Sequence, residues 1–456
     1  MNLHRLLRKR AEAGRPIRVG LIGAGKFGAM FLSQALRTPG IHLFGLADLA
    51  GARARSALAT TGWPPERLAK SAADALKRGT TWITEDSAAL IAADGVEIVI
   101  DATGDPAAGI RHALLCCKHR RHIVMVNVEA DVLAGPLLAR KAREAGIVYS
   151  LAYGDQPSLI CEQVDWARTI GFEVAAAGKG TLYMPEFHAS TPETVWGHYG
   201  LTPERARESG LNPKMFNSFL DGTKSGIEMA AVANATGLTP APGGLAFPPC
   251  AAKDLAKTLI PAAAGGCLHH KGQVEVISSR ARDGRDIDDH LRWGVYVTFE
   301  APTEYVKRCF SDYGLVTDPS GRYSAFWRPY HLIGLELGIS VASVALRGEA
   351  TGAAQGFVAD VAACAKRDLR AGETLDGEGG ATVWGRLMPA TDSLAQGALP
   401  IGLAHGVRLK TGVAKGAIVG WAAVEIKETS DALLTRREME ALFAPPAPAK
   451  RAAMTA

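Results

Sequence analysis

Residues Ile17–Ile22 form a short apolar run rich in β-branched side chains, which passes directly into Gly23-Ala24-Gly25-Lys26-Phe27-Gly28 and then into a helical pattern from Phe27 to Leu36. With 50 glycines in the chain, a GxGxxG spacing by itself carries little weight. Here it follows a strand, opens a helix, and precedes by 20 residues an acidic residue, Asp48, at the end of the next apolar run. That context selects a strand–turn–helix unit built to receive a dinucleotide. Gly23 permits the tight turn, Gly25 lets the backbone approach a pyrophosphate, and Gly28 lets the helix lie against the sheet. Lys26 and Phe27 open that helix and complete the loop.

The unit recurs. Ile41 to Ala47 reads as a second strand, Val96 to Ala102 as another with a helix from Pro106, and His122 to Val128 as the next with a helix from Val132. Alternation of this kind predicts a doubly wound parallel sheet of the Rossmann type over residues 1–150. Asp48 is placed to bind the adenosine ribose hydroxyls and favour NAD, whereas Arg53 and Arg55 are placed to pair with a 2′-phosphate. The residues leave the two cofactors open. Thr103 and Gly104 follow the third strand, where a loop passes the nicotinamide ribose, and Asn127 and Glu129 end the next. Ligands bind outside the carboxyl ends of such strands, so these groups are expected to face the cleft, or else to cap a loop.

From residue 151 to 350 the pattern changes to a mixed α+β domain, with strands at Phe172 to Ala177, Val274 to Ser279 and Gly294 to Glu300. Arg322 to Leu346 reads as a long helix that returns to cover the first sheet. Tyr153-Gly154-Asp155-Gln156, Gly178-Lys179-Gly180-Thr181 and Asn217 to Glu228 each mix glycine with ionisable groups. Lys179, between two glycines at a strand end, is a candidate for binding an anion or polarising a carbonyl. Lys224 and Glu228 are four apart and share a face if Thr223 opens a helix; the apolar Met229 to Val232 run predicts that this helix is buried. With Asp221, these are the candidate catalytic residues. Histidines do not fall at metal-ligand spacing, but Glu129, Asp155 and Glu228 could together hold a hard cation. Residues 351–430 read as a glycine-rich, mostly β domain, and 431–456 as a C-terminal helix with a disordered tail from Pro445.

Composition narrows the remaining classes. A net charge of +5 over 456 residues gives no basic stripe for nucleic acid. The seven cysteines show neither a disulfide framework nor a CxxC pair. Met1 to Arg15 reads as a short, basic amphipathic helix without a signal-peptide core, and no apolar stretch reaches membrane length. The expected location is the cytoplasm, with no membrane partner.

The layout, together with Leu220-Asp221-Gly222-Thr223, resembles the homoserine dehydrogenase-like oxidoreductases. Those enzymes carry an aspartate and, four residues on, a lysine where this chain has Lys224 and Glu228, and a lysine where it has Glu129. The exchange argues against an amino-acid alcohol as substrate. Ile17 to Gly28, Val124 to Asp131, Ala152 to Pro157, Gly178 to Thr181 and Asp221 to Lys224 are similar to the reductoisomerase-like subgroup of that fold. Its members convert 1-deoxy-D-xylulose 5-phosphate to 2-C-methyl-D-erythritol 4-phosphate, an isoprenoid precursor. Val358 to Ala404 looks like a SAF domain, as in antifreeze proteins and sialic acid synthases. The resemblance implies NADPH, Mg or Mn held by Glu129, Asp155 or Glu228, a phosphorylated sugar substrate, and a homodimer. Lys179 and Lys224 would then hold the phosphate or stabilise an enolate. Another dehydrogenase of the same fold, acting on a hydroxy acid or sugar phosphate, and a nucleotide-binding sensor without turnover are the alternatives.

Overall fold

The computed structural model describes residues 2–426 and 429–444. Seven strands, β1 (Ile17–Ile22), β2 (Ile41–Ala47), β3 (Leu68–Ala69), β4 (Thr81–Thr84), β5 (Ile98–Asp101), β6 (His122–Met125) and β7 (Tyr149–Leu151), form one sheet in the order β3-β4-β2-β1-β5-β6-β7. Every pairing is parallel. The chain moves outward from β1 in one direction, then restarts at β5 in the other. The crevice between the carboxyl ends of β1 and β5 is therefore the switch point at which doubly wound sheets bind ligands.

A second sheet runs β11-β10-β8-β9, from β8 (Glu173–Thr181), β9 (Gln273–Ser278), β10 (Val295–Glu300) and β11 (Tyr323–Arg328). The helices Gln156–Thr169 and Thr223–Thr236 pack on it through Leu159, Ile160, Val164, Ile227 and Val232, against Val174, Val274, Val276, Val297 and Phe299. The same apolar cluster takes in Val361, Leu375, Val383 and Leu387. These belong to the C-terminal β region, composed of β12 (Ala359–Ala365), β13 (Thr374–Asp376), β14 (Val383–Pro389), β15 (His405–Leu409) and β16 (Val424–Glu425). That region consequently shares a core with the middle of the chain. Close approach makes this possible: a Cβ on Gly226 would lie 3.1 Å from the Gly385 carbonyl oxygen, and the Gly385 amide donates to Thr223 Oγ1 at 2.7 Å.

Two expected elements come out differently. Residues 322–346 are not one helix: Tyr323–Arg328 is an edge strand antiparallel to β10, and only Gly338–Arg347 is helical. Pro329 has no amide hydrogen to continue a helix and pushes Arg328 toward extended backbone, and Gly334 adopts φ +68°. The 338–347 helix does return to the first sheet, burying Val341, Ala342 and Val344 beside Leu21, Leu32 and Leu46, and Leu3 and Leu7 of the N-terminal helix Leu3–Glu12 join the same cluster. The other difference follows β6, which ends at Met125; a helix starts at Val128, not Val132, so Glu129 lies in a helical first turn and not at a strand end.

The helix Asp431–Phe443 packs back on the first domain. Its Arg436 is fully buried, pairs with Asp360 of β12 at 2.5 Å, and reaches the Leu133 carbonyl oxygen at 3.4 Å. Three parts of the chain thus meet at one guanidinium. The tail expected to be disordered from Pro445 lies outside the described residues. Among the described residues no helix is long and apolar enough to cross a membrane. Removing one member of a buried ion pair strands the other charge, so Arg436→Met should cost about 3–5 kcal/mol in denaturant unfolding. The double variant Asp360→Asn/Arg436→Met should regain part of that loss; no regain would mean the pair is not the source.

Candidate active site

The glycine loop divides its three glycines as expected. Gly23 has φ +101°, and a Cβ there would come within 2.5 Å of the Ala102 carbonyl oxygen. A Cβ on Gly28 would meet the Gly23 carbonyl oxygen at 2.3 Å. Gly25 instead faces open space, which leaves its backbone and the first turn of the helix Lys26–Ala35 free for an anionic group. Lys26 is exposed at that turn, and Phe27 packs inward.

Asp48 has a second task that the pattern did not reveal. Its carboxylate accepts from the Ala24 amide at 2.8 Å, the Ala50 amide at 2.9 Å and Arg53, whose Nη2 lies 2.6 Å away. Burial would raise its pKa, but these donors, Arg53 foremost, hold the carboxyl below its ordinary range. Asp48 therefore braces the glycine loop, and Arg53 neutralises it at the place where the adenosine ribose is expected.

After β5, Asp101 accepts from the Thr103 amide and hydroxyl, at 3.1 and 2.8 Å, and from His112 Nδ1 at 2.5 Å. Asn127 caps its helix through Ala130 N–H and donates to the Asp105 carbonyl oxygen at 2.7 Å and to Thr103 Oγ1 at 3.2 Å. Its amide is fully engaged in holding the 102–105 loop, with Gly104 open at φ +70°. The two readings offered for Asn127 and Glu129 thus divide: Asn127 is the cap, and Glu129 reaches across to Lys224.

Lys179 and Glu228 form an ion pair, both nearly buried, with Lys179 also donating to Gln156 Oε1 at 3.0 Å. Lys224 pairs with Glu129, and this second pair is more open to the cleft. The two ionisable groups of the 223–236 helix therefore do not bond each other; each crosses to a different element. Lys179 lies within β8, and its flanking glycines serve packing, since a Cβ on Gly178 or Gly180 would strike the Glu275 or Leu291 carbonyl oxygen at 1.7 or 2.0 Å. Both ammoniums are already committed to carboxylates, so neither is a free phosphate holder. Lys224 is pulled down by burial but pushed up more strongly by Glu129, Glu228 and the acids around it.

Asp155 caps the helix Gln156–Thr169, accepting from the Gln156 amide at 2.9 Å. Burial and then the nearby Glu228 raise its pKa to about 6. Asp221 is fully buried and pairs at 2.7 Å with Lys366, which follows β12. Burial raises the Asp221 carboxyl, and Lys366 opposes the rise. Glu378, between β13 and β14, accepts from Ser218 Oγ at 2.5 Å beside Glu129 and Lys224. Lys366 and Glu378 were not anticipated. They come from the C-terminal domain, and no local motif marks them; only the fold brings them here.

These residues do not fit a divalent cation. Glu129 and Glu228, two of the three expected ligands, are taken up by lysines, and among the described residues no three His, Cys, Asp or Glu side chains converge as a ligand set. A cation would have to displace two ammoniums already balancing those charges. Of the expected Glu129 and Asp155 site, Glu129 is held in an ion pair with Lys224 and Asp155 caps a helix.

Residues 154–337 match the family described as the catalytic domain of oxidoreductase DRL. No curated protein matches the chain. Among solved structures, an oxidoreductase from Agrobacterium radiobacter in complex with NAD+, L-tartaric acid and magnesium is similar at 15% identity over 36% of this chain and 44% of that one, TM-score 0.26. The WlbA dehydrogenase from Bordetella pertussis with NADH and UDP-GlcNAcA gives 17%, 37%, 48% and 0.27 in the same order. For the scyllo-inositol dehydrogenase from Lactobacillus casei with NAD(H) and scyllo-inositol the values are 12%, 40%, 50% and 0.27. The chain spans half or less of the length of each. The chain thus joins a glycine-loop crevice in a doubly wound sheet to a segment similar to an oxidoreductase catalytic domain.

Lys224→Met should abolish turnover and also lower stability, because it leaves Glu129 partly buried without its cation. Glu129→Gln/Lys224→Met should recover the stability but not the turnover. Thermal unfolding beside cofactor oxidation separates the two effects, and parallel recovery of both would remove Lys224 from the chemistry.

Proposed function

We propose that the protein is an NADPH-dependent reductoisomerase that converts 1-deoxy-D-xylulose 5-phosphate to 2-C-methyl-D-erythritol 4-phosphate in the cytoplasm, acting as a homodimer. The observation that carries this reading is the lysine–carboxylate cluster of Lys179, Lys224, Glu129, Glu228 and Asp155, with Glu129 and Asp155 just beyond the carboxyl ends of β6 and β7. The skeleton shift runs through a retro-aldol and an aldol step, so a proton must leave a hydroxyl, negative charge must rest on an enolate oxygen, and a proton must return. Hydride then goes to the new aldehyde. Ammoniums held in a desolvated cleft stabilise such oxygens, and a carboxyl titrating near 6 supplies and recovers protons near neutral pH.

The phosphate needs a cation outside that cluster. Arg292 is half-buried near Tyr199, its guanidinium 5.0 Å from the centre of the Trp293 ring, three residues ahead of Val295, the register partner of Lys179. It suits the distal phosphate of a substrate whose reacting carbons lie at Lys179. The preference for NADPH is supported by Arg53, which offsets the Asp48 charge that would repel a 2′-phosphate. The open edge of β11, with Phe326 and Trp166 both exposed and 5.2 Å apart, supports pairing with a second copy.

The direct test supplies 1-deoxy-D-xylulose 5-phosphate and NADPH, with and without Mn²⁺, and follows cofactor oxidation and product mass. A preparation that binds NADPH yet neither oxidises it nor changes the sugar overturns this reading in favour of another dehydrogenase of the fold. Two variants refine it. Arg292→Gln should raise KM for the phosphorylated substrate with kcat little changed, and Arg53→Ala should weaken NADPH while sparing NADH.

A further inference from the structure

Three ion pairs account for three of the five carboxylates gathered at the cleft: Glu228 with Lys179, Glu129 with Lys224, and Asp221 with Lys366. Asp155 and Glu378 are left without a lysine of their own. Asp155 spends one oxygen on the first amide of its helix. Glu378 accepts from the Ser218 hydroxyl at 2.5 Å, and the loop that carries it is tied down on every side. Asp376 accepts from the Ala381 amide at 2.6 Å and from the Thr382 amide at 3.0 Å. Asn217 Nδ2 donates to the Gly379 carbonyl oxygen at 3.0 Å, and Lys366 Nζ to that of Gly380 at 2.7 Å. Gly379 lies so near the Lys214 carbonyl oxygen that a Cβ would come within 2.0 Å. A loop fixed this firmly holds Glu378 in place against Ser218 and beside Glu129 and Lys224.

We propose that Glu378, carried into the cleft by the C-terminal domain, is the group that protonates the substrate oxygen when hydride reaches its carbon. This rests on the reductase reading above. The hydride and its two electrons leave C4 of the reduced nicotinamide for the carbonyl carbon, and the carbonyl π pair moves onto oxygen. The O–H bond of Glu378 breaks as the new hydroxyl forms, leaving an alcohol, oxidised cofactor and a carboxylate that regains its proton from water in the cleft. The surroundings suit an acid at neutral pH. Burial first and the Glu129 charge next push the Glu378 carboxyl up to about 7, with Asp221 adding to the rise and Lys224 and the Ser218 hydroxyl opposing it. Lys366 and Lys214 bind this loop through backbone carbonyls, so the hydrogen bond to the carboxyl itself comes from the Ser218 hydroxyl.

One arm of the test needs no substrate. The difference infrared spectrum of wild type minus Glu378→Gln should hold a protonated-carboxyl band below about pH 6 that fades above about pH 8, separate from the bands of Asp131 and Glu275, also raised to about 7 by burial, and the band should persist in Asp155→Asn. A second arm measures turnover of 1-deoxy-D-xylulose 5-phosphate with NADPH. Glu378→Gln should bind NADPH normally but turn over about a hundredfold more slowly, and Ser218→Ala, which removes a donor to the carboxylate, should move the basic limb of the pH profile upward. Glu378→Gln with the wild-type rate and profile, or no band that depends on Glu378, overturns the inference. If wild-type protein is idle on this sugar while the band titrates as described, the substrate reading fails and the acid stands.

Discussion

A carboxylate withdrawn from water must find a cation or keep its proton, and the cleft of this protein is organised by that requirement. Five acids from four separate stretches of chain lie near one another, linked through three lysines. The pairs crosslink the Rossmann helix at Val128–Glu144, strand β8, the 223–236 helix and the C-terminal β region. Position and protonation are set together: paired acids fix geometry, and the surplus acids become the exchangeable protons. An apolar core alone could bring these elements close, but it would not specify which side chain answers which.

The same economy appears at the nucleotide end. Asp48 is read most simply as a ribose ligand, yet two backbone amides and Arg53 already occupy it. Asn127, too, is spent on its helix and on the 102–105 loop. Both residues act by shaping the backbone that meets the cofactor, so the loops after β1 and β5 are formed in advance of binding. Little ordering is then left to oppose association.

What the sequence revealed followed the range of its signals. Strands β1 and β2 were legible to the residue because apolar β-branched runs bounded by glycine act locally, and the glycine loop carried its meaning in its flanks. The pair of Lys224 and Glu228 was correctly placed on a buried helix, but their partners were not legible, since Glu129 lies 95 residues and Lys179 49 residues away along the chain. Glu129 read as a cation ligand because its lysine, 95 residues away, was out of view, whereas Asp155 caps a helix. Lys366 and Glu378 were invisible altogether, each an ordinary charged residue beside a β-strand until the third region folds over the second. The 322–346 segment misled in the opposite way, its helical spacing overridden by pairing with β10.

The first domain is not complete in its own stretch of sequence. Its sheet is covered on one side by the 338–347 helix, and its helices on the other by 431–443. During synthesis the seven-stranded sheet emerges before the 338–347 helix, with Leu21, Leu32, Ile98 and Ile100 lacking part of the cover they have in the finished molecule. The nascent chain must therefore protect that surface through some two hundred further residues of elongation, a wait during which chaperones or transient collapse shield exposed apolar area. Arg436, entering last, closes the assembly.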